Sequence, residues 1–171
     1  SFYKDLERLG VEQMQGDIRD KNAVEEACRG VDLVFHVAAQ PGVWGHYADF
    51  FNTNVMGTQN IISGCIRHQV LRLIYTSSPS VIFDGTPQEG VGESYPYPTH
   101  YESPYPHTKA IAEQDVMAAH RGDIQGVPLL TVSLRPHLII GPRDNHLLPH
   151  ERNEANLYHP HAPSDMHVRI G

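Results

Sequence analysis

The residues of this chain best suited to chemistry are Tyr105 and Lys109, which are four positions apart. On a helix this spacing places two side chains on one face, with Cβ atoms about 5–6 Å apart. A nearby ammonium favours the ionised form of a phenol, whose ordinary pKa is about 10. A tyrosine in this setting can exchange a proton with a substrate hydroxyl near neutral pH. Ser78, which follows the apolar run Leu71–Thr76, could hydrogen-bond the same oxygen. The pair alone is also typical of an exposed helix surface, so its setting matters.

The elements expected to position these residues alternate between helices and strands. The run Val31–Ala39 is almost continuously apolar, which is typical of a parallel strand buried on both faces. The long segment Ser80–Ser103 is rich in Pro, Gly, Tyr and acidic residues, which predicts a surface loop. The alternation predicts a parallel, doubly wound α/β sheet. Strands are predicted at Val11–Gln15, Val31–Ala39, Leu71–Thr76 and Leu129–Leu134, and helices at Phe2–Leu9, Lys21–Cys28, Asp49–Val70 and Pro104–His120.

Composition limits the function classes. The chain has 171 residues and a formal charge of −7, which argues against a general nucleic-acid surface. No stretch approaches the length of a membrane-spanning helix, and the N-terminus lacks the pattern of a signal peptide. Cys28 and Cys65 fit no disulfide framework, so two reduced cysteines in a cytoplasmic protein are expected. The histidines of the C-terminal region fit no compact metal pattern, so no metal is predicted; they are His146, His150, His159, His161 and His167.

Six short segments follow one another along the chain: Gly16–Asp20, Val34–Ala39, Asn54–Asn60, Tyr75–Val81, Leu134–Pro136 and Gly141-Pro142. Together and in this order they resemble the extended short-chain dehydrogenase/reductase superfamily. Its 3β-hydroxysteroid dehydrogenase-like branch is the most similar, through the segments Thr76–Gly85, Tyr105–Ala110 and Gly141–Pro149. That branch includes sterol 4-carboxylate 3-dehydrogenases and bacterial 2-alkyl-3-oxoalkanoate reductases.

The resemblance implies a Rossmann-type sheet and hydride transfer between a nicotinamide and a secondary alcohol or ketone. In that mechanism Tyr105 is the general acid/base, and Lys109 lowers the tyrosine pKa and holds the nicotinamide ribose. Ser78 orients the substrate oxygen, with Ser77 as the alternative serine. Asn54 either joins a proton relay or links a helix to a strand.

The implied cofactor is NADP or NAD, and the implied substrate is a hydrophobic 3-hydroxy or 3-oxo compound such as a sterol or a 2-alkyl-3-oxo acid. A homodimer through the helices Asp49–Val70 and Pro104–His120 is expected by analogy. Asp17 is either a turn residue or an adenine contact. The residues implied to contact the cofactor are Asp17, Ile18, Ala38, Ala39, Lys109, Pro136, His137 and Leu138.

Four further residues have two interpretations each. Trp44 and Tyr47 either line a substrate pocket or cover apolar surface. His107 is expected to be a surface helix residue rather than a base. His36 is expected to be a hydrogen-bonded core residue unless it lies beside the cofactor.

The chain departs from this family at both ends. The glycine-rich turn that holds the pyrophosphate at a helix N-terminus is absent, as are the first two strands. Residues 1–149 are therefore expected to form a partial NAD(P)-binding domain, with an irregular tail at 150–171 in place of a substrate domain. The chain is thus expected to be truncated. Two other functions remain open, a nucleotide-sugar 4-epimerase or dehydratase and a non-catalytic remnant or interaction module.

Overall fold

The core of the fold is a sheet of three parallel strands in the order β1-β2-β3. In this computed structural model the described residues are 6, 8–121, 126, 128–137 and 139. The strands are β1 (Leu33–His36), β2 (Arg72–Thr76) and β3 (Leu130–Leu134). All three run parallel, as the alternating pattern predicts, and the expected α/β fold is confirmed.

Helices connect the strands. Helix α1 (Lys21–Ala27) begins after Asp20, whose carboxylate accepts hydrogen bonds from the first-turn N–H groups of Asn22 and Ala23. Helix α4 (Pro104–Ala118) follows Ser103 and carries a proline in its first turn, where its missing N–H costs nothing. Both agree closely with the sequence prediction, ending one and two residues earlier.

The predicted helix Asp49–Val70 is observed as three consecutive segments. These are α2 (Tyr47–Phe50), a π-helical segment (Phe51–Met56) and α3 (Gly57–Arg67). Three consecutive residues of the π segment are buried, namely Thr53, Asn54 and Val55. A regular α-helix with 3.6 residues per turn cannot direct three neighbours to one side, whereas a wider π turn brings extra residues inward.

One face of the sheet carries the core, and the other does not. Val34, Leu73 and Thr131 point to the covered face and are at most 4% exposed, where they meet residues of α3 and α4 such as Ile61 and Val116. The opposite face includes Phe35, 56% exposed, and Val132, 49% exposed. The expectation that the apolar strands are buried on both faces is therefore wrong for the described residues. Helices cover a single face of the sheet, so the apolar run alone did not predict which of its residues are buried.

The predicted strand Val11–Gln15 is also wrong, because residues 11–16 form neither strand nor helix. A strand is stabilised only by ladder hydrogen bonds to a neighbour, and none of the described strands pairs with this segment. Similarly, only Leu33–His36 of the predicted strand Val31–Ala39 has a ladder partner. Of the predicted helix Phe2–Leu9, Leu6 and Arg8 are helical, while residues 2–5 and 7 lie outside the described residues, as does the tail 150–171.

The long loop 83–103 begins after a short 3₁₀ helix, Pro79–Ile82. It is anchored by Tyr101, whose hydroxyl donates to the Val81 carbonyl oxygen over 2.8 Å. Tyr95, Tyr97 and Tyr101 pack against a small core of Val81, Ile82 and Ala110. The loop therefore lies against the first turns of α4, where the predicted catalytic pair is located.

Two kinds of feature are absent from the part of the chain that the structure describes. None of the described helices is both long and apolar enough to cross a membrane. No group of three or more His, Cys, Asp or Glu residues within that part of the chain could hold a metal ion. The five C-terminal histidines considered above lie outside the described residues.

Candidate active site

Lys109 is a buried cation on α4, only 2% exposed. Its Nζ donates to the carbonyl oxygen of Thr76 over 2.6 Å and lies 4.1 Å from the centroid of the Tyr75 ring. Burial lowers the pKa of Lys109 to about 7, while the charge of Glu113 acts in the opposite direction. Lys109 thus lies at the carboxyl end of β2, and its side chain gains or loses its charge near neutral pH.

Tyr105 is half-buried one helical turn before Lys109. Its phenol lies close to the hydroxyl of Ser78. Burial raises the pKa of Tyr105 above its ordinary value, and the interaction with Ser78 opposes this only in part. The expected lowering of this pKa by Lys109 is not observed, because the ammonium is directed to Thr76 and the phenol is partly desolvated.

The position of Ser78 is fixed by the turn that follows β2. Ser78 caps the 3₁₀ helix, and its Oγ accepts from the Ser80 N–H over 3.2 Å and lies 2.8 Å from the Ser80 Oγ. Ser77 is 5% exposed and lies beside Glu113 instead. The structure therefore brings Ser78, rather than Ser77, to the phenol of Tyr105.

Asn54 links the chain after β1 to α4. Its Nδ2 donates to Thr108 Oγ1 over 3.0 Å and to the Gln40 carbonyl oxygen over 3.2 Å, and its Oδ1 accepts from Gln40 N–H over 2.7 Å. Asn54 is 1% exposed, and Thr108 immediately precedes Lys109. This geometry matches the interpretation that Asn54 joins elements.

His36 lies in the core, where its Nε2 is 2.8 Å from Thr58 Oγ1. The Thr58 hydroxyl in turn donates to the carbonyl oxygen of Asn54 over 2.6 Å. Burial, aided by the positive charge of Lys109, lowers the pKa of His36 to about 3. The imidazole is therefore neutral at physiological pH and serves as a hydrogen-bonded core residue.

The residues predicted to contact a cofactor fall into three groups. Asp17 binds its neighbour Arg19, whose backbone N–H and guanidinium both donate to the carboxylate. These hydrogen bonds with Arg19 lower the pKa of Asp17. Ile18 is fully buried against Gly57, so its side chain belongs to the core. The remaining predicted contacts follow the carboxyl ends of strands: Ala38 and Ala39 are half-buried after β1, Pro136 is half-buried and His137 exposed after β3, and Leu138 lies outside the described residues.

Sequence reasoning missed the buried carboxylate of Glu113, on the same helix as Tyr105 and Lys109. Glu113 is 2% exposed and is bound by the guanidinium of Arg135, which follows β3, and by the hydroxyl of Tyr97. Its spacing of four residues from Lys109 could have placed it on the same helical face. Its partners are distant in sequence, so only the folded chain reveals the network.

Aromatic side chains surround the start of α4. The ring of His107 stacks on Tyr101 at a centroid distance of 5.2 Å, and its Nδ1 is 3.3 Å from the hydroxyl of Tyr47. Trp44 is 90% exposed and packs little in this chain. Tyr47 therefore belongs to an aromatic cluster with Tyr101 and His107 at the start of α4, whereas Trp44 does not.

Comparison with known proteins shows the family of this chain. The model of the 3-beta hydroxysteroid dehydrogenase/isomerase family matches residues 2–162. The chain belongs to this family. A family relative, the 2-alkyl-3-oxoalkanoate reductase of Shewanella oneidensis, is 44% identical over 149 residues, covering 86% of this chain and 38% of the relative. The bovine sterol-4-alpha-carboxylate 3-dehydrogenase, decarboxylating, is 38% identical over 78% of this chain and 37% of its own length.

Solved structures place this family member in the same superfamily as epimerases and dehydratases. The NAD complex of the UDP-glucose 4-epimerase from Thermus thermophilus matches with a TM-score of 0.64 and 33% identity, covering 77% of this chain and 42% of that one. The chain thus spans about two fifths of the length of the relatives it matches. The Rossmann-type fold and the superfamily resemblance inferred from the sequence are confirmed.

Proposed function

We propose that this chain carries the proton-transfer half of an NAD(P)-dependent oxidoreductase that interconverts a secondary alcohol and a ketone. The observation that carries the proposal is the buried Lys109, whose Nζ donates to the Thr76 carbonyl oxygen over 2.6 Å, with Ser78 close to Tyr105 one turn away. All three lie at the carboxyl end of a parallel strand, where open α/β sheets bind their ligands. A hydroxyl pair and a cation in this position are suited to moving a proton on and off an oxygen.

In the reducing direction Tyr105 donates its proton to the substrate oxygen as negative charge develops there. Its elevated pKa keeps the phenol protonated at neutral pH, so it is ready to act as the acid. Ser78 hydrogen-bonds the same oxygen and stabilises its charge. A bound nicotinamide supplies the hydride in this direction and accepts it in the other.

In the oxidising direction Tyr105 must accept a proton, which requires a lower pKa. When its side chain is protonated, Lys109 is the nearby cation suited to lowering the pKa of Tyr105. Because the pKa of Lys109 is about 7, the charged fraction changes within the physiological pH range. The proposal assigns Lys109 the role of an electrostatic partner rather than of a proton donor to substrate, because its Nζ donates to the Thr76 carbonyl oxygen.

The residues at this edge fit the nicotinamide end of a dinucleotide. Among the described residues Lys109 Nζ makes one hydrogen bond, to Thr76, so its other donors can serve the hydroxyls of a ribose. Ala38, Ala39, Pro136 and His137 follow the neighbouring strand ends and would border the same group. The sequence has no glycine-rich turn for the pyrophosphate, so other groups would hold that part. NAD and NADP both remain within the proposal.

The proposed substrate is a hydrophobic 3-hydroxy or 3-oxo compound. The similarity to a 2-alkyl-3-oxoalkanoate reductase and to a sterol-4-alpha-carboxylate 3-dehydrogenase supports this class. The cluster of Tyr47, Tyr101 and His107 at the start of α4 would offer such a compound flat aromatic surface. The predicted homodimer through the long helices stays a prediction, to be tested by analytical ultracentrifugation.

A second candidate is a nucleotide-sugar epimerase or dehydratase, which the similarity to the UDP-glucose 4-epimerase favours. An epimerase regenerates its nicotinamide within each cycle, whereas a reductase consumes one NAD(P)H for each substrate reduced. Stoichiometry of NAD(P)H oxidation with a 2-alkyl-3-oxo acid, compared with conversion of a UDP-hexose, separates the two.

The proposal is tested by titrating the 171-residue chain with NADH and NADPH while following nicotinamide fluorescence, then measuring turnover. Saturable micromolar binding is expected for wild type and for Tyr105→Phe, with weaker binding for Lys109→Met. Tyr105→Phe should reduce turnover by about 10²–10⁴-fold, and Tyr95→Phe, in the loop, should not. Turnover that survives Tyr105→Phe would contradict the assignment, and a folded chain that binds neither nucleotide would support the non-catalytic alternative.

A further inference from the structure

Glu113 is a buried negative charge on the face of α4 that also carries Tyr105 and Lys109. The three residues follow one another at intervals of four, so each lies about one turn from the next. Glu113 and Lys109 are each 2% exposed. An unpaired carboxylate at such a depth would cost several kcal/mol, so its retention requires specific partners.

Those partners come from two other segments of the chain. Arg135 Nε lies 3.0 Å from Glu113 Oε1 and 3.1 Å from Oε2, and its Nη2 also donates to Oε1. The hydroxyl of Tyr97 donates to Oε1 over 2.6 Å. Tyr97 belongs to the long loop, and Arg135 directly follows β3. One carboxylate therefore fastens α4, the loop and the exit of β3 to each other.

The charge state of this carboxylate is well defined. Burial would raise the pKa of Glu113, but the hydrogen bonds from Arg135 and Tyr97 outweigh it, and the pKa lies below its ordinary value. Glu113 is therefore anionic at neutral pH. Around Lys109, Tyr105 is on the same helix, Tyr75 lies under the ammonium and His36 is on β1.

Among these neighbours the carboxylate is the one that favours a charged lysine. The pKa of Tyr75 is raised, mainly by burial, and that of His36 is lowered to about 3, so both rings are neutral at pH 7. Only Glu113 acts on Lys109 as an anion within the described residues. Lys109 is thus balanced between the loss of hydration and the attraction of this single carboxylate.

We propose that Glu113 is a positioning residue, which holds the segments of Tyr97 and Arg135 against α4 and supplies the buried negative charge that keeps Lys109 an ammonium. This inference rests on the proposed function, since it concerns the same site. It adds a residue that acts through Lys109 and does not itself touch the substrate.

The test exploits the fact that the chain contains only three lysines, Lys4, Lys21 and Lys109. Lysine labelled with ¹³C at Cε gives three NMR signals, and Lys109→Arg identifies the signal of the site. We expect the Lys109 signal to titrate near neutral pH in wild type and to titrate about one pH unit lower in Glu113→Gln. The introduced side-chain amide keeps hydrogen-bonding capacity while the charge is removed, and Glu89→Gln, on the exposed loop, should leave the titration unchanged.

Two results would overturn the inference: a Lys109 titration that is the same in wild type and folded Glu113→Gln, or a larger effect of Glu89→Gln. If Glu113→Gln fails to fold, ¹³C-carboxyl NMR of labelled glutamate in wild type decides, because a Glu113 that takes up a proton above pH 6 contradicts the proposal. Neither readout requires turnover. If the chain binds no nucleotide but Glu113→Gln lowers the pH at which Lys109 titrates, the proposed function is refuted and this inference is not.

Where turnover is measurable, the pH profile offers a second check. Glu113→Gln should displace the pH dependence of kcat toward lower pH, in parallel with the Lys109 signal, whereas a purely structural loss would lower kcat at every pH. Charge-conserving Arg135→Lys should retain the Lys109 titration, since the carboxylate remains ionised. A Lys109 titration displaced as far in Arg135→Lys as in Glu113→Gln would contradict the assigned role.

Discussion

The side-chain amide of Asn54 pairs with both backbone polar groups of Gln40, accepting from its N–H over 2.7 Å and donating to its carbonyl oxygen over 3.2 Å. A side chain here substitutes for a neighbouring strand, because it satisfies a donor and an acceptor of the same residue. The second contact of its Nδ2, with Thr108, extends this link to the helix of Lys109. The chain after β1 and helix α4 are thereby held in one geometry.

Asn54→Ala should therefore lower the free energy of unfolding by about 1–3 kcal/mol, because it leaves the polar groups of Gln40 and Thr108 without their partner. Urea denaturation followed by circular dichroism measures this. Asn52→Ala is the control, since Asn52 lies in the same π segment but is exposed. Equal losses in the two variants would show that helix propensity, not the link, accounts for the effect.

Gly57→Ala should also destabilise the chain. A Cβ at this position would lie 2.5 Å from Cδ1 of Ile18, which is fully buried, and overpacking of this kind costs about 1–3 kcal/mol. This exceeds the gain of about 1 kcal/mol that alanine offers in a helix. Thermal unfolding should show a lower Tm than wild type.

The matched control is Gly92→Ala, because a Cβ there meets nothing within 4 Å. In an Ile18→Ala background the cost of Gly57→Ala should shrink, since the clashing atoms are gone. A cost that persists in this double variant would show that the backbone, rather than Ile18, requires the glycine.

The stability of the chain should fall in acid because of His36. Its folded pKa is about 3 and its unfolded pKa about 6.5, so the unfolded state binds more protons between these values. Stability is therefore lost as the pH falls from about 6.5 towards 3, by at most about 1.4 kcal/mol per pH unit from this group. His36→Gln should flatten the dependence between pH 4 and 6 in denaturant titrations, whereas His100→Gln, an exposed histidine, should not. A slope unaffected by His36→Gln would mean that other groups take up the protons.

The two faces of the sheet should respond differently to one substitution. Val34→Thr places a hydroxyl among core residues and should cost about 1–3 kcal/mol, because Val34 is 2% exposed. Val132→Thr, on the uncovered face, should cost less than about 0.5 kcal/mol, since Val132 is 49% exposed. Comparable losses measured by urea denaturation would indicate that the second face is covered in solution.

The sequence predicted the elements that are defined by local patterns. Helices α1 and α4 and the strands β2 and β3 were found within two residues of their expected bounds, because apolar periodicity and capping residues act locally. Val11–Gln15 was wrong for the opposite reason. Its pattern suits a strand, but strand formation depends on a neighbour that the residues themselves do not reveal.

The candidate site divides in the same way. Tyr105, Lys109 and Ser78 were predicted from spacing and resemblance, and in the structure the Ser78 hydroxyl lies close to the phenol of Tyr105. The orientation of Lys109 toward Thr76 was not predictable, because it depends on where β2 ends relative to α4. Arg135 was noted only as part of a strand-end motif, since its partner Glu113 is 22 residues away and is reached only through the tertiary fold.

The π-helical segment Phe51–Met56 determines which residues of the following helix, α3, face the core. One added residue in a turn rotates the helix that follows by about 100° relative to the helix that precedes. The core-facing positions after the π segment therefore do not continue the helical periodicity of those before it. Before it Phe50 faces the core, and after it Thr58, Ile61 and Cys65 do. Deleting one residue from this turn would leave the composition almost unchanged, yet it would direct Asn54 or Thr58 to solvent. Insertions and deletions here are therefore far less tolerable than substitutions at the exposed Asn52 and Met56.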